Sequence, residues 1–297
     1  MDFFDDKYIS SRPTFANELV SKCEQSLDFR PMLFEWYKYV GIYCNRISCI
    51  SPVSPALKKI QPVYYGILIG LLNRCSRLML ANTRLSSTRK YGETTRIIDR
   101  CISESAIKIQ WLCKNDAFSS YLVDSLKPDL ILKEQILKNI SERGNKVQII
   151  EKRMLKSIQR CIDQSGLTEE EVLAGKKLPR LNQMCEDLDY RDELYIGIQK
   201  MGSHSVHGTW SELLFSYLKR DESGAFYPRD HDVDTQDTQF ISICLLVIDA
   251  MIAFLLYVTN ESDERKKMVA DLQSVKDQIL EIKEQAWSSL FAEEGSL

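Results

Sequence analysis

The apolar stretch FISICLLVIDAMIAFLLYV, residues 240–258, decides which fold class the chain adopts. Its length suits a helix that crosses a membrane. One carboxylate, Asp249, stands at its centre, and a charged aspartate at mid-bilayer costs about 2.5 to 3.5 kcal/mol on insertion scales. The flanks DTQDTQ and TNESDERKK also lack the tryptophans of an interfacial belt. The stretch therefore predicts the buried central helix of a soluble bundle, with Asp249 paired inside the core or facing a cavity.

Helical periodicity recurs along most of the remaining sequence, whereas Asn-Gly hairpin turns are absent and alternating runs are few. This pattern predicts an all-α, multi-helix bundle that is at least two-thirds helical. The predicted helices are 14–25, 31–49, 63–85, 94–114, a pair within 129–163 broken at Gly144, a short helix opened by the capping box TEEE at 168–171, 181–187 and 190–218. The pair within 129–163 is predicted to be amphipathic, with one apolar stripe that consists of Val147, Ile150, Met154, Ile158 and Ile162. Residues 220–239 are predicted to form a polar loop.

The proline-rich stretch SPVSPALKKIQP, residues 51–62, interrupts the helical pattern. It predicts a boundary between an N-terminal helical subregion, residues 1–60, and a main helical bundle, residues 61–260. Residues 261–297 are predicted to form a C-terminal amphipathic helix with a short coiled-coil-like seam. The seam consists of Met268, Leu272, Val275, Ile279 and Ile282. We expect it to pack on its own bundle, and packing on a second subunit, as in a homodimer, is the alternative.

The overall charge excludes a whole-molecule attraction to polyanions. The chain carries 39 basic and 42 acidic residues, so any binding of nucleic acid must be local. None of the nine cysteines forms a C-x-x-C pair, which predicts buried thiols in a reducing cytosol rather than a disulfide framework. The first residues, MDFFDDKYISSRP, lack the order of a secretory signal, and we expect a cytoplasmic protein that is soluble without detergent.

The first candidate site lies in TRIIDRCISESAIKIQWL, residues 95–112. Arg96, Arg100 and Glu104 follow one another at i,i+4 steps, so they share one face of the predicted helix beside Ile107 and Trp111. Ionisable groups on a face that continues into a core form either a salt bridge that fastens two helices or a functional site. Both interpretations stay open at this point.

The second candidate site is QKMGSHSVHGTW, residues 199–210. Ser203 and His207 are again separated by four residues, and Tyr195 lies two turns earlier on the same side. Gly202 and Gly208 leave room for a close backbone approach. We expect this helix to pack against the arginine-bearing helix, because each polar face needs donors and acceptors from the other.

The few histidines of the chain do not predict a metal centre. His204 and His207 are three residues apart and could grip a metal, but the sequence supplies no third ligand at a matching spacing. The acidic stretch DHDVD around His231 is predicted to be a solvated loop. The sequence therefore predicts no metal and no cofactor.

The segments RCISESAIKIQWL and LPRLNQMCEDLDYRDELYIGIQKMGSHSVHG resemble a family of uncharacterised bacterial helical proteins, domain of unknown function 5677. The resemblance covers about residues 63–258. It implies an all-α bundle with a polar cluster that joins two helices, and it brings no established reaction. The residues that match the family pattern are Arg100, Glu104, Tyr195, Ser203, His207 and Gly208.

A more distant resemblance is to the HEPN ribonucleases, helical nucleases of bacterial toxin and antiphage systems. Their dimeric site uses an arginine and a histidine four to six residues apart. This chain departs from that pattern, because Lys200 rather than an arginine precedes His207.

One functional hypothesis is an enzyme, a toxin or antiphage-defence effector, that acts on RNA or a nucleotide. His207 would serve as general acid or base and Arg100 would stabilise a phosphate, since imidazole exchanges protons near neutral pH and guanidinium binds phosphate with two donors. Glu104 would orient one of them. Tyr195 and Ser203 complete the predicted catalytic cluster, and Arg96 and Lys200 are the predicted substrate-binding residues.

A second hypothesis is a non-catalytic helical interaction module, antitoxin-like or an effector partner, with a protein partner from the same operon. The polar cluster would then be structural and would set the register of the helices. A third hypothesis, a membrane-associated effector acting through residues 240–258, conflicts with Asp249, and no stable membrane insertion is expected.

Overall fold

The computed structural model describes residues 12–88, 90–190, 205–230 and 232–294, with side chains up to residue 286. It is 73% helical and has two short strands in the described part, so the predicted all-α bundle is confirmed. The helices of the first half are α1 (Asn17–Ser26), α2 (Arg30–Ser48), α3 (Pro62–Ser86), α4 (Gly92–Asn115) and α5 (Phe118–Glu142). The helices that follow are α6 (Ile149–Ser165), α7 (Glu169–Ala174), α8 (Leu181–Asp187), α9 (Trp210–Glu212), α10 (Asp237–Val258) and α11 (Asp263–Glu294).

Helix α10 contains the apolar stretch of residues 240–258 and forms the centre of the bundle. It packs against α2, α3, α4 and α11. By length and composition it is the one helix of the described residues that could span a membrane, yet 61% of its most apolar window is buried within the protein. The predicted central helix is therefore confirmed. Asp249 is paired as expected, since its Oδ1 accepts a hydrogen bond from Lys276 Nζ of α11 at 2.6 Å.

The C-terminal seam packs on its own bundle. Leu272, Val275, Ile279 and Ile282 are buried in the same apolar core as α10, and Met268 packs against that core at its edge. The predicted seam is thus confirmed as an intramolecular contact. Because its apolar residues face α10 and α2, they are not available to a second subunit.

Helices α5, α6 and α7, here termed the peripheral helices, share a smaller second core that includes Leu130, Ile140, Ile158 and Val172. The capping box predicted at Thr168 is confirmed, since Thr168 Oγ1 accepts from the Glu171 amide and the Glu171 carboxylate accepts from the Thr168 amide. The predicted break at Gly144 is also confirmed, because this glycine has a φ of +64° that other residues rarely adopt.

Two details of the peripheral helices differ from the prediction. Helix α5 begins at Phe118 rather than near residue 129, because the bundle accommodates Pro128 inside the helix. Val147 and Ile150, predicted on the buried stripe, are exposed. Val147 precedes the first residue of α6, and Ile150 lies about 80° around the helix from the buried Ile158.

Of the predicted helix 190–218, the structure describes Tyr190, which is not helical, and residues 205–218. A helical turn covers 205–207, α9 follows, and a π-helix, Leu213–Tyr217, leads directly into strand β1, Leu218–Arg220. Strand β1 pairs antiparallel with β2, Phe226–Pro228, and the turn between them contains Gly224 with a φ of +88°. The prediction of a polar loop over residues 220–239 is therefore wrong in part, because this range includes the last residue of β1, all of β2 and the first turn of α10. The two strands pair through backbone N–H and C=O groups, and each is too short for an alternating sequence pattern to reveal it.

Candidate functional site

The predicted charged face of α4 forms an ion pair within a single helix. Arg100 Nε donates to Glu104 Oε1 at 3.2 Å, and the two side chains are 24% and 36% exposed. Arg100 Nη1 is buried and has no hydrogen-bond partner among the described residues. Arg96 is half-buried on the same helix. The structure thus joins Arg100 to Glu104 and leaves one guanidinium nitrogen for another group.

The other half of the predicted cluster is mostly outside the described residues. Tyr195, Lys200, Ser203 and His204 all fall within 191–204. His207 is described, and its side chain is exposed to solvent on the turn before Gly208. The expected packing of this segment on α4, and with it a shared site, therefore stays a prediction. His231 also falls outside the described residues.

A buried hydrogen-bond network on α4, which the sequence analysis missed, is centred on Asp99. Its Oδ1 accepts from Asn82 Nδ2 of α3 at 2.7 Å and from the Tyr37 hydroxyl of α2 at 3.3 Å. Its Oδ2 accepts from Gln239 Nε2 of α10 at 2.9 Å. Gln239 Nε2 also donates to Thr95 Oγ1 at 3.0 Å. One carboxylate thereby connects the four helices that make up most of the core.

Burial controls the protonation of this carboxylate. Removal from water raises the pKa of Asp99 to about 7, although hydrogen bonds from Gln239, Tyr37 and Asn82 oppose the shift. Burial likewise raises the pKa of the Tyr37 hydroxyl, and the neighbouring Asp99 charge adds to that effect. Asp99 is only 6% exposed, so these groups organise the core rather than contact a dissolved substrate.

The sequence does contain a signal for this network. Thr95, Asp99 and Ser103 follow at i,i+4 steps, and Ile102 and Ala106 lie on the same side of α4. All five residues are buried. The stronger polar signal in this sequence comes from the charged residues Arg96, Arg100 and Glu104, which lie one position further around the helix.

The segment 205–230 presents an unusual concentration of exposed apolar side chains, here termed the hairpin surface. Trp210 is 58% exposed and Phe215 is 70% exposed. The rings of Trp210 and Phe226 meet edge to face with centroids 5.5 Å apart, which links the π-helix region to the hairpin. The hairpin surface comprises Val206, Trp210, Leu213, Phe215, Tyr217, Phe226 and Tyr227.

Charged groups surround the hairpin surface without a positive excess. Arg220 lies over the Phe226 ring at 5.5 Å, and Lys219 Nζ donates to Asp230 Oδ1 at 2.6 Å. Residues 205–230 carry three lysines and arginines against four aspartates and glutamates. The electrostatics of this surface therefore do not favour a phosphate-rich ligand.

A polar cleft of about 250 Å³ lies beside the hairpin, between the N-terminus of α4 and the π-helix. Lys90 and Arg229 contribute its positive charges, and Glu93, Asp230 and Asp232 contribute its negative charges. Glu93 is buried and accepts a hydrogen bond from the Val233 amide at 3.2 Å. The mixture of signs suits anchoring of the hairpin to α4 better than binding of a small anion.

No group of three histidine, cysteine, aspartate or glutamate side chains in the described part of the chain could hold a metal ion. All nine cysteines are free, and five of them are buried.

Comparison with known proteins adds a family but no activity. A family model described as a family of unknown function, DUF5677, matches residues 65–226, which is more than half of the chain. The match begins in α3 and ends in β2, so it includes the charged face of α4 and most of the hairpin surface. No curated protein and no solved structure matches the chain.

Proposed function

Because the chain belongs to the DUF5677 family, whose function is unknown, we propose a function from its own surface: it is a non-catalytic helical interaction module that docks a protein partner through the hairpin surface. The observation that carries this proposal is the exposure of seven large apolar side chains within 22 residues, 206–227. Large contiguous apolar patches on a soluble protein mark binding sites.

The composition of the hairpin surface matches that of protein interfaces. Tryptophan, tyrosine, phenylalanine and arginine are the residue types enriched in interfaces, and Trp210, Tyr227, Phe226 and Arg220 supply one of each. Trp210 and Phe226 already contact each other, so they lose little rotamer entropy when a partner covers them. The two rings together form a preorganised anchor.

The charged rim distinguishes a protein partner from other occupants. Asp221 and Glu222, in the turn of the hairpin, repel the anionic headgroups of a cytoplasmic membrane leaflet. They repel a nucleic-acid backbone for the same reason. A protein partner can complement both features: an apolar groove on the partner binds the apolar centre, and basic residues around that groove pair with the acidic rim.

The polar groups of α4 fit a structural role in this proposal. Arg100 and Glu104 pair with each other, and the Asp99 network holds α2, α3, α4 and α10 in register. The segment that follows the hairpin is anchored on the same helix, since the Gly92 amide donates to the Val233 carbonyl at 2.7 Å. A rigid core thus supports the docking surface.

The test compares three forms of the purified protein as bait: wild type, Trp210→Ser with Phe215→Ser, and the control Val53→Ser with Ile131→Ser. All four side chains are more than half exposed, so both double variants should fold normally. Products of neighbouring genes are tested first, because the predicted partner is a protein from the same operon. We expect one identified protein that co-purifies in a defined stoichiometry with the wild type and the control and is lost with the hairpin variant.

Three results would refute the proposed function. One is that every captured protein binds the hairpin variant as well as the wild type. Another is that the hairpin surface mediates only self-association, seen as a dimer in light scattering that the variant abolishes. The last is binding to lipid vesicles that depends on Trp210 and Phe215.

A second candidate function is an enzyme, a toxin or defence effector acting on RNA or a nucleotide. It is favoured by Arg100, whose buried Nη1 has no partner in the described chain and is a natural phosphate ligand. His207 is exposed and so can reach a dissolved substrate.

The enzyme candidate makes a distinct prediction for His207. Replacement by alanine should abolish RNA or nucleotide cleavage, or toxicity in cells, and leave the thermal midpoint within about 2 °C, because an exposed side chain contributes little to stability. Glu222→Ala, also exposed, serves as the control. Cleavage retained by the His207 variant, or none in the wild type with RNA and nucleotide substrates, would refute the enzyme candidate.

A further inference from the structure

The exposed side of α6 concentrates positive charge in a protein that is otherwise acidic. Residues 143–160 carry six lysines and arginines and one glutamate, while the whole chain has a net charge of −3. Lys152, Arg153, Lys156 and Arg160 are all exposed. At 100° per residue these four positions fall within an arc of about 100°, here termed the basic strip.

The charges of the basic strip are available to a ligand. None of its four side chains has an ion-pair partner among the residues that the structure describes. The nearby Glu151 is already occupied, since it pairs with Arg143 and accepts from the Gln148 amide at 2.9 Å. Asp163, the acidic residue at the C-terminal end of the strip, accepts from Gln159 Nε2 at 2.9 Å.

The basic strip is also held in a fixed geometry. The opposite side of α6 is buried, with Ile158 and Ile162 packed in the core of the peripheral helices. Lys152, Lys156 and Arg160 follow at i,i+4 steps, which places them along a line of about 12 Å on a rigid helix. The strip therefore presents a linear array of cations rather than a pocket.

We propose that the basic strip of α6 binds the phosphate backbone of a nucleic acid, independently of base sequence. Arginine and lysine side chains in a line neutralise successive phosphates and release their counterions, which supplies the affinity. This site is separate from the hairpin surface, and it goes beyond the proposed docking function.

Two other kinds of partner, a lipid membrane and a protein, fit the basic strip less well. A membrane-binding helix inserts its apolar face into the lipid, but that face of α6 is buried inside the protein. A protein interface needs buried aromatic or arginine anchors with apolar surroundings. The exposed side chains between the cations, Ser157 and Gln159, are polar, and the exposed Ile149 and Ile150 lie at one end of the strip. Charge without an apolar centre suits a phosphate backbone.

The test measures binding of a fluorescently labelled 20-nucleotide polyuridine RNA and a 20-base-pair DNA duplex by anisotropy at low salt. The strip variant replaces Lys152, Arg153, Lys156 and Arg160 by glutamine. The control variant replaces Lys22, Lys59, Lys266 and Lys267, all exposed, by glutamine, and so changes the net charge equally. We expect micromolar binding by the wild type and the control, and affinity at least tenfold weaker for the strip variant.

The salt dependence sharpens this test. If the strip neutralises about three phosphates, the slope of log K against log salt concentration for the single-stranded RNA should be smaller by about 2 in the strip variant. The hairpin variant Trp210→Ser with Phe215→Ser should bind RNA like the wild type, which separates this site from protein docking. Absent binding by the wild type, equal loss in both glutamine variants, or strip-dependent binding to phosphatidylserine vesicles without binding to nucleic acid would overturn the proposal.

Discussion

Replacing Asp99 by alanine should lower the free energy of unfolding by about 3 to 5 kcal/mol at about pH 5.5. The alanine removes the acceptor of the Tyr37 hydroxyl, the nearest of three acceptors for Asn82 Nδ2 and one of two acceptors for Gln239 Nε2, and it leaves a gap between four helices. Each buried donor that loses its partner costs about 1 to 3 kcal/mol. Urea denaturation followed by circular dichroism measures the change.

The control for this prediction is Asp163→Ala on α6. Asp163 is exposed and accepts one hydrogen bond, from Gln159, so its replacement should change the free energy of unfolding by no more than about 0.5 kcal/mol. Equal effects of the two substitutions would mean that the Asp99 network does not organise the core.

The contribution of Asp99 to stability should depend strongly on pH. Its pKa is about 7 in the folded protein and close to 3.8 when the chain is unfolded. Between these values the folded state binds the additional proton, so this contribution is fully present below about pH 4 and is lost as the pH rises towards 7. At 1.36 kcal/mol per pKa unit the loss amounts to about 4 kcal/mol.

Asp99→Asn isolates this contribution, because asparagine has a similar shape and does not titrate. The free energy of unfolding of the wild type minus that of the variant should fall by about 4 kcal/mol between pH 4 and pH 8. Other carboxylates titrate in both proteins and cancel in the difference. A difference that is constant with pH, or one that rises, would show that burial does not raise the pKa of Asp99.

The fold could be predicted from the sequence where one physical signal dominated. Residues 240–258 are apolar on every side, and the single charge Asp249 predicted a buried helix in which this carboxylate is paired or faces a cavity. The structure shows the pairing, with Lys276. The apolar seam of α11 could be predicted from its steps of four and three residues, because helical spacing determines which side chains face the core.

The candidate site was harder to predict, because its features depend on tertiary contacts. The i,i+4 spacing of Thr95, Asp99 and Ser103 marks a polar line on α4, but the partners of Asp99, namely Tyr37, Asn82 and Gln239, lie 17 to 140 residues away in sequence. The strands of the hairpin are three residues long, which is too short for an alternating pattern to predict their pairing. The basic strip was present in the sequence, but only the burial of Ile158 and Ile162 reveals which side of α6 faces solvent.

The most direct measurement of the docking function is the dissociation constant of the identified protein partner for wild type, Phe215→Ser and Val53→Ser, determined by isothermal titration calorimetry. Phe215 is 70% exposed and Val53 is 86% exposed, so neither substitution should unfold the protein. The proposed function predicts binding at least tenfold weaker for Phe215→Ser, a loss of about 1.4 kcal/mol or more, and unchanged binding for Val53→Ser. Equal affinity of all three proteins would contradict it.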